Sequence, residues 1–246
     1  MSEIIKTEAV VLSKLNYGDT SLIVSLFTKE LGKVSAIAKG ARNSKAKIGA
    51  KVDPLNFLEI VFYNKTSREL QIISSADIID HYPNLKKDFD RLKYAYSVLE
   101  LIKKLTVEHE QNLKLFKGTT RIFSLMNESN ESPDILFARF FLFLLDEIGY
   151  QVQIDRCISC GRKDLENMAL SYNFEGGILC ENCKRDYIES FEINSELFNA
   201  LNGLKTNKNL DDIDSRIIAK AVAFMEKFLK YHVSDFQGIQ SLQLFK

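Results

Sequence analysis

Every cysteine in the chain falls in one of two C-x-x-C pairs, CISC at Cys157–Cys160 and CENC at Cys180–Cys183. Two cysteines on one tight turn can aim both sulfurs at a single ion, and two such turns complete a tetrahedron. The intervening 19 residues suit a four-thiolate zinc site. Gly161 follows the first pair and Gly176-Gly177 precede the second, where the backbone has to turn sharply. Met168–Phe174 and Ile178–Leu179 read as the hairpin of a zinc ribbon. Spacing alone leaves two alternatives open, an iron site of the rubredoxin type and redox-active thiol pairs. Four thiolates leave a metal no open position for water or substrate, so the expected role of Zn2+ is structural.

A second cluster is ionic. KVSAIAKGARNSKAKIGAK holds Lys33, Lys39, Arg42, Lys45, Lys47 and Lys51 and no acidic residue, in a chain with 33 Lys+Arg and 33 Asp+Glu. A neutral total means that any nucleic-acid binding must come from a local patch. A basic loop beside a barrel face can follow a phosphate backbone, with binding that weakens steeply as salt rises. Arg42 can grip phosphate bidentately, whereas the lysines act as point charges. Gly40 and Gly49 would let the loop approach a strand closely. The competing reading is a solvated lysine-rich loop. Of the nearby aromatics, Phe27, Phe57, Phe62 and Tyr63 sit at strand spacing and read mostly as core. Tyr17, in a turn, is a minor candidate for stacking on bases.

Other chemistry is missing. His81, His109 and His232 stand apart from one another and from any serine, cysteine or carboxylate arrangement. There is no phosphate-binding P-loop, G-x-S-x-G, H-E-x-x-H or dinucleotide fingerprint. No enzymatic role is expected.

The elements that must position these groups change character along the chain. TEAVVLS, TSLIVSLFT, KVSAIAK, NFLEIVFY and ELQIISSADII read as five strands, with Ala9 and Val11 on one face of the first and Val10 and Leu12 on the other. Five strands is the number of the OB-fold, with an SH3-like barrel as the alternative. The basic stretch then falls on the third-to-fourth connection. After Tyr82-Pro83 the period becomes helical: Leu92, Leu99, Ile102 and Leu105 share one face, and Leu113, Phe116, Ile122, Phe123 and Met126 suggest a second helix. Ser132-Pro133 opens a third, DILFARFFLFLLDEI, apolar on nearly all sides and stopped at Gly149. Two more helical patterns follow near Ser195–Leu204 and Ile213–Val233.

The expected fold is a multi-domain α+β protein. An OB-fold barrel over 1–82 precedes a mostly α-helical domain over 83–246, with the zinc-ribbon-like module inserted at about 155–187. Its 46% hydrophobic and 27% charged residues are ordinary for a globular chain and exclude disorder or a collagen-like repeat. The longest strongly apolar run, Phe140–Leu145, is far short of the roughly 20 residues that span a bilayer. MSEIIKTEAVVLS lacks the apolar core of a secretory signal, so the expected location is the cytoplasm.

Taken whole, the sequence resembles the RecO family of bacterial recombination mediators. The marks are EAVVLSKLNYGDTSLIVSLFTKELGKVSAIAKGAR, the apolar helix ending in EIGY, RCISCG with GGILCENC, and YHVSDFQGIQSL. The turn Tyr17-Gly18-Asp19, the turn from Phe27-Thr28 to Gly32-Lys33, and Lys39-Gly40-Ala41-Arg42 are the most specific. Not every member keeps the cysteines, so this chain falls with the metal-binding ones. The resemblance implies a non-enzymatic, nucleoid-associated protein that binds single- and double-stranded DNA and anneals complementary strands. It implies action with RecR, and in some settings RecF, on DNA coated by single-strand-binding protein, helping to load RecA. DNA and RecR would use the barrel, and the tail of the single-strand-binding protein would dock on the helical domain. A four-cysteine iron or redox protein and a zinc-ribbon RNA or transcription factor are the alternatives.

Overall fold

The computed structural model describes residues 3–244 apart from 66, 166, 167, 188, 189, 209, 211 and 212. Alternating apolar residues give β1 (Glu3–Tyr17), β2 (Ser21–Thr28) and β3 (Gly32–Ala38). A loop carrying the short α1 (Ile48–Lys51) leads to β4 (Phe57–Asn64) and β5 (Gln71–Asp80). The strands bond in the order β1-β2-β3-β5-β4, and β4 returns antiparallel to β1. Closure is uneven: β3 and β5 meet in a parallel seam of only Ala36 with Gln71 and Ile37 with Ile72. The sheet is thus OB-like rather than a clean barrel.

Val24, Leu26, Val34, Ala36, Leu58 and Ile60 point inward and are fully buried. The outer face of β1 is covered too where Val10 and Leu12 lie, so four successive residues, Ala9–Leu12, are buried. Helices account for this. α2 (Pro83–Lys87), α3 (Phe89–Leu105) and α4 (Leu113–Glu128) follow the strands. Phe116 of α4 lies 5.9 Å from Phe27 and 6.2 Å from Phe57, ring centre to ring centre. The Asn112 side chain accepts the Leu115 amide and starts α4 so that Leu113 is exposed and Leu115 buried, a one-residue departure from the expected face. Asn127 accepts the Asn84 amide at 2.9 Å and the Leu85 amide at 3.2 Å, capping α2 from a distance.

The α3–α4 connection rests on the β2–β3 turn. The His109 amide donates to the Lys33 carbonyl at 2.9 Å and Gln111 Nε2 to that of Lys29 at 3.2 Å. Gly32 has φ +63°, and a Cβ there would collide with the Glu110 carbonyl. No other residue fits without moving the connection.

Residues Met1–Glu131 with Ile239–Lys246 form one compact unit and Ser132–Gly238 a second. The change from strand to helix after residue 82 is thus distinct from the division between units, since α2–α4 group with the barrel. The second unit opens with α5 (Pro133–Glu147), buried nearly all round as its composition predicts. The Ser132 hydroxyl turns to the Asp134 carboxylate instead of capping an amide. At the other end Gly149, φ +91°, lets its own amide reach the Asp146 carbonyl and that of Tyr150 reach Leu145 at 2.8 Å, a Schellman stop. β6 (Leu170–Asn173), β7 (Gly177–Leu179) and β8 (Phe191–Ile193) form a sheet in the order β7-β6-β8. α6 (Ser195–Thr206) and α7 (Ser215–His232) pack against α5.

α8 (Ser241–Leu244) belongs with the first unit and is clamped by Glu100 of α3. That carboxylate accepts the Gln240 amide at 2.8 Å, and the Ser241 amide and hydroxyl each at 2.7 Å. Among the described residues no helix is long and apolar enough to cross a membrane.

Candidate metal centre and nucleic-acid interface

The four cysteines converge. Cys157 and Cys160 lie on one turn, in which the Gly161 amide donates to the Cys157 carbonyl at 2.9 Å. Cys180 and Cys183 lie on another, closed by the Cys183 amide on the Cys180 carbonyl at 3.0 Å. The turns are held together by the Ile158 amide on the Ile178 carbonyl, 2.9 Å, and by the Cys180 amide aimed at Cys157 Sγ, 3.5 Å. All four sulfurs lie within 4.8 Å of one another, and Cys160 and Cys180 are 3.8 Å apart. A tetrahedron with metal–sulfur bonds of about 2.3 Å has edges of about 3.8 Å, so the donor set matches the size of a four-thiolate site.

Cys157 and Cys180 are buried and Cys160 is exposed. Burial works against a thiolate at Cys157. The backbone amides of Cys160, Cys180 and Ser159 outweigh it and hold the thiol below its ordinary value, whereas Cys183 of the same cluster is shifted upward.

The expected hairpin is present as β6–β7. Its turn is fixed by Asn173, whose Oδ1 accepts the amides of Glu175 at 2.9 Å and Gly176 at 3.1 Å. Sequence reasoning missed β8, because three residues give no measurable period; Ile193, paired to Leu170, completes the sheet.

The basic stretch divides into two groups. Lys33 and Lys51 are committed to the fold. Lys33 Nζ donates to the carbonyls of Lys103 at 2.9 Å and Thr106 at 2.6 Å, capping the C-terminal end of α3. Burial holds its ammonium below the usual lysine range; Glu108 offsets part of this and Lys103 adds to it. Lys51 Nζ donates to the Ala76 carbonyl at 2.6 Å and to Asp77 at 2.8 Å, tying α1 to β5.

Lys39, Arg42, Lys45 and Lys47 are exposed. Arg42 fixes the loop against the β1–β2 turn: its amide donates to the Thr20 carbonyl at 2.8 Å and its guanidinium to Gly18 at 3.0 Å. The Arg42 side chain is otherwise exposed. Gly49 approaches the Ala41 carbonyl, a contact inside the loop rather than with a strand. Lys39, Lys45 and Lys47 make no ion pair among the described residues. Of the nearby aromatics, Phe27 and Phe62 are buried, as expected of core residues, while Tyr17 and Tyr63 are half-exposed.

Comparison with known proteins adds an independent finding. Residues 1–82 match the model of the recombination protein O N-terminal region and residues 86–238 that of its C-terminal region. A DNA repair protein RecO from Clostridium novyi is 30% identical over 246 residues, covering 98% of this chain and 93% of that one. Its counterpart in Alkaliphilus metalliredigens is 34% identical over 190 residues, covering 77% and 75% respectively. One in Chlorobium limicola is 35% identical over 158 residues, 64% of this chain and 60% of the relative. With both halves matched and the OB-like sheet, helices and four-cysteine cluster in place, this chain belongs to the RecO family of DNA repair and recombination proteins.

Proposed function

We propose that this protein is a DNA-binding recombination mediator without catalytic activity of its own. In this reading it binds single- and double-stranded DNA through the β3–β4 loop and anneals complementary strands. It would work with RecR, and with RecF where present, on DNA coated by single-strand-binding protein, so that RecA can load. The observation that carries the DNA contact is the set Lys39, Arg42, Lys45 and Lys47: four exposed cations on one loop with no carboxylate in the stretch. Arg42 is held by the Gly18 carbonyl, which limits the entropy lost when its free N–H groups meet phosphate. Lys33 and Lys51 position the loop. RecR is assigned to the barrel unit and the tail of the single-strand-binding protein to the second unit, on family grounds alone.

Cys157, Cys160, Cys180 and Cys183 would hold Zn2+. Bound there, the ion supplies no reactive position; it cross-links two turns that otherwise share few bonds. The matching sulfur spacing supports this reading. Purified protein should be colourless with one zinc per chain. Colour, or thiols that cycle between oxidised and reduced forms, would favour iron or redox chemistry instead.

The decisive functional test is annealing of complementary strands precoated with single-strand-binding protein, with and without RecR and without nucleotide. Annealing that RecR modulates is the expected result. Absence of annealing on both bare and coated strands overturns the assignment, and preference for RNA over DNA would point to an RNA-associated factor.

A further inference from the structure

The loop that carries the exposed cations ends in an unusual elbow, just after Asp53-Pro54. Leu55 there has φ +72° and is 1% exposed. A bulky side chain rarely accompanies left-handed backbone, so the surroundings must hold it in place. They do so through β1. The Leu55 amide donates to the Val11 carbonyl at 3.1 Å, and the Asn56 carbonyl accepts the Val11 amide at 3.0 Å. Val11 is also where the β1–β2 register shifts. Pinned in this way, the elbow turns the buried Asn56 side chain back toward the loop. Its Nδ2 donates to the carbonyl of Lys51, the last residue of α1, at 2.8 Å, and its Oδ1 accepts from Lys86 of α2.

We propose that Asn56 is the positioning residue of the DNA-binding loop, fixing the end of α1 and through it the direction in which Lys45 and Lys47 meet phosphate. The inference rests on the DNA-binding reading of the β3–β4 loop and adds to it what aims the cations. At its entry the loop is anchored by Arg42 on Thr20 and Gly18. At its exit three groups hold it: buried Val52, the Lys51 ammonium on β5, and Asn56. These differ in stiffness. Lys51 reaches β5 through a flexible four-carbon stem, which tolerates movement of its own backbone. Packing of Val52 is non-directional. Asn56 alone of the three bonds the backbone of α1 itself, at a helix end whose carbonyls lack partners within the helix. Because Lys86 holds the other end of the amide, the loop takes its bearing from α2 as well as from the barrel.

The test separates aim from charge and from stability. Asn56→Ala deletes both side-chain bonds without changing the net charge. Asn56→Asp keeps an acceptor for Lys86 but cannot donate to Lys51. Ile60→Ala, at a fully buried barrel position, destabilises the same unit without touching the elbow. Affinities for a labelled oligothymidylate and a hairpin duplex are measured with denaturant midpoints and amide hydrogen exchange on the same samples. Both Asn56 variants should bind either DNA about tenfold more weakly, the scale set by losing a preorganised loop. Exchange over residues 43–52 should quicken while β1–β3 stay protected. Ile60→Ala should lower the midpoint and leave both affinities at the wild-type value under folding conditions. Wild-type affinity in both Asn56 variants overturns the inference. So does a loss that Ile60→Ala reproduces at equal stability, since Asn56 would then be merely structural. A loss confined to one variant overturns it too: with Asn56→Asp alone the added charge is the cause, with Asn56→Ala alone the Lys86 bond. Replacing the four loop cations with alanine should weaken both ligands and leave loop exchange unchanged. If that variant has no effect on binding, the loop reading fails and this inference falls with it.

Discussion

The four-cysteine module and the basic loop place their functional groups by opposite means. In the module, two cysteines share each turn and the geometry is closed within four residues; the remaining fold has only to bring two turns together. In the loop, chemistry is spread over residues 39–47 and is directed by distant contacts, with Arg42 fixed on Gly18, Lys51 on β5 and Lys33 on α3. A site with local geometry should be brittle, since each ligand is indispensable. A surface aimed by many contacts should fail gradually.

Cys157→Ser should give the largest effect. It removes one of four thiolates, and structural zinc sites contribute on the order of 10 kcal/mol to folding of small modules. Bound metal should fall to a small fraction of one equivalent and protease sites should open around 155–187, measured by elemental analysis and limited proteolysis. Duplex binding by the barrel unit should persist, and its loss would break the contrast between the sites. Alanine at Lys39, Arg42, Lys45 and Lys47 together comes next. Each lost phosphate contact lowers the single-strand salt slope by about 0.7, so affinity near 0.1 M salt should drop by roughly several hundredfold with metal content intact. Titrations at several salt concentrations check this.

Glu100→Gln should cost the first unit about 1.5–3 kcal/mol, the scale of hydrogen bonds to a charged group. Burial opposes the charge on Glu100. The Lys104 ammonium, the Ser241 hydroxyl and the amides of Ser241 and Gln240 outweigh it and hold the carboxyl below its usual value of 4.5. A lowered folded value means the contribution is complete above pH 4.5 and is lost as pH falls through the folded value. Wild type and variant should therefore differ in denaturant midpoint at neutral pH and converge in acid. A chelator should leave the difference unchanged, which sharpens the contrast with the four-cysteine module. The smallest effect is expected from Gly149→Ala: a Cβ at φ +91° meets no neighbour but strains the backbone, costing the second unit about 1 kcal/mol by chemical denaturation.

Much of the fold was legible because its signals are local. Alternation in β1 and runs of β-branched and apolar residues marked the five strands, helical spacing marked α3 and α4, and an all-round apolar run between Ser132-Pro133 and Gly149 bounded α5 within a residue. β8 was too short to register. Leu113 shares the apolar spacing of α4 in the sequence, but the Asn112 cap sets the phase of the helix and leaves Leu113 exposed. Val10 and Leu12 read as one half of an alternating strand, and only the helices, with α3 packed on β1 and Phe116 beside Phe27 and Phe57, explain why both faces are buried there.

The sequence by itself determined that the four cysteine sulfurs could meet, since two residues of spacing on a turn already bring each pair together. It also determined that positive charge gathers between β3 and β4. Only the tertiary structure decided which cations remain outward, because Lys33 and Lys51 are drawn inward by carbonyls on α3 and β5. The elbow at Leu55 and Asn56 is likewise hidden in the sequence order. Its place on Val11 is set by cross-strand register, and register emerges only when the barrel core closes.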